Sequence, residues 1–153
     1  MAQGRGAPIR LGLISNPMAR TNWRSVAHER LLPLLDAPDL AVSTPSVGHL
    51  DEAVRTLLFD RGCNVLAING GDGTIHAIIN AVVEATDEAG ADRSVPLPLP
   101  RFLLLNGGGM NMLARTFDTR GHPRRTVARF QRRARHRTLG SLKTRVTPML
   151  EVH

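Results

Sequence analysis

Four short apolar runs alternate along this chain with stretches whose apolar residues fall at helical spacing. Arg10 to Ser15 (RLGLIS) predicts a first strand, closed by Asn16-Pro17. Thr21 or Asn22 can cap a helix after it. Trp23, Val26, Ala27, Leu31, Leu34 and Leu35 then share one helical face, with Pro33 expected to kink the helix or end its regular part. Leu40 to Thr44 predicts a second strand. Leu50, Ala53, Val54, Leu57 and Leu58 follow the i, i+3, i+4, i+7, i+8 rule of a second helix. Asn64 to Ile68 (NVLAI) is apolar throughout after Asn64, as a central parallel strand covered on both faces should be. Ile75, Ile78, Ile79, Val82 and Val83 mark the next helix. Residues 86–100 turn polar and then proline-rich, so they read as a surface connection. Phe102 to Leu105 predicts a fourth buried strand, followed by a short helix from about Asn111 and a last helix opening at Pro123.

Strands and helices in strict alternation imply a three-layer α/β fold around a parallel sheet with right-handed crossovers. Ligands of such sheets bind outside the carboxyl ends of the strands. That rule places Asn16, the loop 69–74 and the loop 106–111 on one edge. The length of 153 residues suits one domain with a sizeable core.

Composition changes this picture in two places. Nine basic and eleven acidic residues fall in 1–114, against eleven basic and two acidic in 115–153, so the net charge of +7 belongs to the tail. Aromatic residues make up only 3%, so the core must rest on Leu, Val, Ile and Ala. The single cysteine, Cys63, has no internal disulfide partner and reads as a small core residue, which fits a reducing cytoplasm. A run of about 18 apolar residues, as a membrane span needs, is absent.

The loops carry the chemistry. Asn69-Gly70-Gly71-Asp72-Gly73-Thr74 joins a buried strand to an amphipathic helix. Adjacent glycines let a phosphate approach main-chain N–H groups, and the helix start adds the positive end of its dipole. Asp72 can hold magnesium directly or through water, and Thr74 can cap the helix or donate to a phosphate. The same residues also suit a tight strand-to-helix turn. Asn106-Gly107-Gly108-Gly109-Met110-Asn111 repeats the design, with Asn111 able to contact a phosphate or ribose. Neither loop is a Walker P-loop or a G-x-G-x-x-G fingerprint.

Gly-Gly-Asp-Gly-Thr after a hydrophobic strand resembles the hallmark of the diacylglycerol kinase catalytic domain, whose relatives include the sphingosine kinases and NAD kinases. Asn16-Pro17-Met18-Ala19 is similar to the family's first loop, Asn-Pro-x-Ser/Ala-Gly. The segment NGGGMNMLAR resembles its later Pro-x-Gly-Thr-x-Asn-Asp-x-Ala-Arg motif, with Gly108, Asn111, Ala114 and Arg115 in register. The chain departs from the pattern at Arg20 (usually Gly), Asn106 (Pro), Gly109 (Thr) and Met112 (Asp). The resemblance implies a lipid kinase that moves the γ-phosphate of ATP to a lipid hydroxyl with magnesium. Asn16, Gly70, Gly71, Asp72, Gly73, Thr74, Gly107, Gly108, Gly109 and Asn111 would line the nucleotide site, and Asp72 would serve the metal. It also implies that 1–137 is the nucleotide-binding domain and that 138–153 begins a second, β-rich domain, truncated here, which supplies the general base. The chain alone is then expected to be inactive. A non-catalytic nucleotide-binding or regulatory module is the alternative.

In the tail, PRRTVARFQRRARHR (123–137) places Val127, Phe130 and Ala134 on one face and arginines on the rest. It reads as a surface helix packed through a narrow apolar face, or as a peripheral contact with anionic membranes. Nucleic-acid binding is not expected, since no aromatic platform or recognised motif accompanies the charge. The six histidines show no metal-ligand spacing.

Overall fold

The structure, a computed structural model, describes residues 6–19, 28–37, 40–107, 112–117, 119 and 121–146. Its centre is a four-stranded, all-parallel sheet: β1 (Leu11–Ser15), β2 (Ala41–Ser43), β3 (Val65–Gly70) and β4 (Arg101–Asn106), in the order β2-β1-β3-β4. The chain leaves β1 toward β2 and later returns to β3 on the other side. The gap between the ends of β1 and β3 is therefore the topological switch point, where α/β sheets bind ligands.

Side chains alternate between the two faces with the strand period of two. Ile14, Leu66, Ile68 and Leu104 face one layer, made by α1 (Leu50–Arg55), its continuation Thr56–Asp60 as a π turn, and α2 (Asp72–Gly90). Leu11, Leu13, Val65, Ala67 and Leu105 face the other way, onto Leu31, Val127 of α4 (Pro123–Ala134) and Leu139. The three-layer α/β architecture is the one the alternating pattern predicts. All five apolar positions expected on the second helix are buried.

Two elements differ from expectation. Within the described residues, the segment after β1 forms 3-10 turns at His28–Arg30 and Leu32–Leu34 rather than regular helix. Pro33 lies in the first turn of the second, where its missing N–H costs nothing. Leu31 is wholly buried, and the half-buried Leu34 and Leu35 pack beside it on the core. The expected capping positions Thr21 and Asn22 lie outside the described residues. Helix α2, in turn, runs to Gly90, through residues read as surface connection. Ala85 and Thr86 are buried there, and the Thr86 hydroxyl donates to Val82 O and Val83 O at 2.8 and 2.9 Å. A hydroxyl satisfied by its own helix buries at little cost.

Asn64 ties the amino-terminal edge together. Its side chain accepts from Arg10 N at 2.9 Å and donates to Pro8 O at 2.8 Å. Past α4, Thr138 forms a bridge with Pro8 and Leu139–Ser141 makes one 3-10 turn. Of the segment 138–153, expected to begin a second domain, residues 147–153 lie outside the described residues.

Candidate functional site

Register decides which residues meet at the carboxyl edge. Ser15 pairs with Asn69, and Gly70 with Asn106. β1, β3 and β4 therefore end level, and the three segments singled out in the sequence emerge side by side.

The first is fixed by Asn16. Its backbone N–H donates to Asn69 O at 2.9 Å. Its side-chain oxygen accepts from Met18 N at 2.9 Å, closing an Asx turn, and its amide donates to Thr74 Oγ1 at 3.0 Å. The conjunction of Asn16 with Thr74, 58 positions away, joins the first loop to the start of α2. The Thr74 hydroxyl is thus an acceptor inside the site rather than the cap of its helix. Gly71 occupies the N-cap in extended geometry, without a side-chain cap. The opening turn of this 19-residue helix therefore has no cap from its N-cap residue, which leaves N–H groups and the positive end of the dipole at this edge.

Two glycines are required by close approach. A Cβ at Gly70 would lie 2.6 Å from Thr74 Cγ2, so the turn into α2 closes only on glycine. A Cβ at Gly107 would lie 2.5 Å from Gly70 N and 2.6 Å from Asn69 Oδ1, so the two glycine loops touch at their backbones. Asn69 is fully buried between them, its amide 3.4 Å from Ser15 Oγ. Asn69, which the loop motif alone does not single out, is the buried polar bracket between β1 and the second loop.

Asp72 does what spacing alone does not reveal. Its Oδ1 accepts from Leu113 N and its Oδ2 from Met112 N, both at 3.1 Å. These are opening N–H groups of the short helix α3 (Met112–Thr116). The carboxylate is a tertiary cap that fastens the second loop to the first. Each oxygen retains lone-pair capacity for a further contact. Among the described residues no three His, Cys, Asp or Glu side chains cluster to hold a metal ion by themselves.

A model of the diacylglycerol kinase catalytic domain matches residues 10–142. The chain belongs to that family. No curated protein matches the sequence. The family is of kinase type, and the match includes all three loops of the carboxyl edge. At two of the family's altered positions the structure gives the residue a use. Asn106 donates from its amide to Thr119 O at 2.9 Å and Gly121 O at 3.1 Å, which folds the segment before α4 back over the end of β4. Proline there has no such donor. Asn106 Oδ1 is buried without a hydrogen-bond partner among the described residues. At position 112 the contact to Asp72 comes from the backbone, so it survives the change of side chain to methionine, which is exposed. Gly108, Gly109, Asn111 and Arg20 lie outside the described residues. His122 caps α4, its Nδ1 accepting from Arg124 N at 3.3 Å, and His76 is exposed on α2.

Proposed function

We propose that this chain is the nucleotide-binding part of an ATP-dependent lipid kinase, in which the γ-phosphoryl group passes to a lipid hydroxyl. One observation carries the reading: the Asn16, 70–74 and Gly107 segments meet at the switch point of a parallel sheet and are braced to one another there. The uncapped start of α2 and the glycine backbones would receive the phosphates. Asn16 and Asn111 would line the nucleotide, with Gly108 and Gly109 completing the second cradle.

Magnesium fits this set as a shared ion. One carboxylate, Asp72, offers remaining lone pairs, and the other ligands would be phosphate oxygens and water, the usual arrangement for this cation. Bound so, the ion neutralises charge on the phosphates. The chain's own residues orient the polyphosphate through N–H groups and keep the two loops at fixed separation. In the transfer, the lipid hydroxyl oxygen forms a bond to the γ-phosphorus. The bond to the β–γ bridging oxygen breaks, ADP departs, and the hydroxyl proton passes to a base. Positioning and charge stabilisation supply most of the catalysis in such chemistry. By family resemblance the base and the acceptor pocket belong to a second, β-rich domain that follows position 137. The arginines of α4 suit peripheral contact with anionic lipid, and no helix among the described residues is long and apolar enough to cross a membrane.

The test is calorimetric titration with ATP, with and without magnesium, followed by transfer of labelled γ-phosphate to lipid hydroxyls in mixed micelles. Saturable binding that tightens with magnesium is expected, and transfer is expected of a protein that includes the second domain. Binding without transfer by the two-domain protein would favour the nucleotide-binding regulatory module instead. Absence of any saturable binding at millimolar ATP would refute the assignment.

A further inference from the structure

The arginines of α4 are not spread evenly around the helix. Pro123, Thr126, Val127 and Ala134 are buried against the sheet, and Arg124 and Arg133 project elsewhere. Arg125, Arg129 and Arg132, at i, i+4 and i+7, share a third face with His122. That face forms one bank of a cleft of about 760 Å³, whose opposite bank includes Pro33 and Leu34. It is an open groove rather than an enclosed cavity, so a ligand there would stay partly in solvent and be held by charge more than by burial. Gln131 Nε2 donates to Leu34 O at 3.0 Å and fastens the two banks together, so the cleft is a built feature of the packing.

Among the described residues no acidic side chain lines the cleft and none of these arginines pairs with a carboxylate, and α4 itself contains no acidic residue. Like charges one helical turn apart repel each other, so the array gains by receiving an anion. Two guanidinium groups a turn apart can bracket one phosphate through paired N–H donors. The row from Arg125 to Arg132 extends about 10 Å along the axis, enough for a phosphate and a polar neighbour. Pro33 and Leu34 add an apolar lip beside the charges. The cleft reaches Gly121, which Asn106 holds at the carboxyl edge, but lies on the face of the sheet opposite α2.

We propose that the cleft between α4 and Pro33–Leu34 is a second anion site, separate from the glycine loops, that binds a phosphate monoester, either as a lipid headgroup or as a free organophosphate. This goes beyond general attraction of α4 to an anionic surface, and does not depend on the nucleotide assignment. A dianionic monoester engages two guanidinium groups at once, which a singly charged headgroup does less well.

Two double variants with equal loss of charge provide the test: Arg129→Gln with Arg132→Gln inside the cleft, and Arg124→Gln with Arg133→Gln outside it. All four side chains are exposed, so both variants should melt with the wild type. Binding is measured without nucleotide, by calorimetry with glycerol 3-phosphate and by co-sedimentation with phosphatidylcholine vesicles. The vesicles carry phosphatidate or phosphatidylserine at matched surface charge. The cleft pair is expected to weaken monoester binding at least about tenfold, and the outer pair less than about twofold. A preference for phosphatidate over phosphatidylserine assigns the site to a headgroup. Binding of glycerol 3-phosphate without that preference assigns it to a free organophosphate. Equal loss in both variants, or binding of neither monoester, would overturn the proposal and leave the nucleotide reading where it was.

Discussion

Removing the Asp72 carboxylate should loosen the second loop as well as the first. Asp72→Ala deletes two acceptors, so Met112 N and Leu113 N at the start of α3 lose their partner. A hydrogen bond to a charged group contributes about 1.5–3 kcal/mol, and loss of a helix cap costs about 0.5–2 kcal/mol. Both N–H groups lie near solvent, since Met112 is 59% exposed, so water replaces part of what is lost. The expected destabilisation is therefore about 2 kcal/mol, which in a domain of this size lowers the melting temperature by about 4–8 °C. Met112→Pro is the complementary perturbation. Proline is accommodated at the first position of a helix but donates no N–H, so it removes one of the two bonds and leaves the Asp72 charge intact. About half the loss is expected. Urea denaturation of both single variants and the double variant closes the cycle, and residues in contact should show a coupling of about 0.5 kcal/mol or more. Strict additivity would refute the contact. ATP titration of the same proteins separates two roles for Asp72. If it acts by holding the second loop, Met112→Pro weakens nucleotide binding too. If it acts by charge alone, only Asp72→Ala does.

Two further outcomes follow from particular contacts. Gly107→Ala forces a methyl group to within 2.5 Å of Gly70 N, where backbone cannot yield easily, so a loss of about 1–3 kcal/mol in chemical denaturation and a sharp fall in ATP affinity are expected. An alanine variant with unaltered stability would mean that the loops stand further apart in solution. Arg55 and Glu88 form an ion pair between α1 and α2 with side chains 43% and 66% exposed, so Arg55→Ala should cost less than about 1 kcal/mol, an effect that shrinks further with added salt.

Strands β1, β3 and β4 were legible because each is a short apolar run with breakers beside it, but which face each side chain takes was not, since β1 and β3 are buried on both. The length of α2 was not. Thr86, Asp87 and Glu88 look like the end of an amphipathic pattern, yet Thr86 turns its hydroxyl back onto its own helix and lies buried. The segment over 28–34 misled in the opposite direction. Leucines at helical spacing there serve 3-10 turns, because Pro33 disfavours a continuous α-helix and short turns already bring Leu31 and Leu34 onto the core. In the site, the strand-edge rule placed Asn16, Asp72, Thr74 and the described glycines of the two loops on one edge. It could not reveal their partners, because two of the decisive contacts end on main-chain N–H groups about forty positions away. Side-chain identity at 112 carries no trace of such a bond, and methionine there hid it.

Either glycine loop by itself is a modest signal, since a turn between strand and helix accounts for most of its residues. What makes a site of them is that β1, β3 and β4 end at the same level, so that loops distant in sequence must share one space. Once they share it, each restricts the other: Gly107 can have no side chain because Gly70 is there, and α3 starts where the Asp72 carboxylate can reach its N–H groups. Asn16 adds the third side through Thr74. A set of groups braced in this way would have little freedom left to lose on receiving the proposed polyphosphate, so its N–H donors would act with less entropic penalty than those of an unbraced loop. The same bracing predicts that substitutions in the three segments will not act independently, because loosening any one of them releases constraints on the other two.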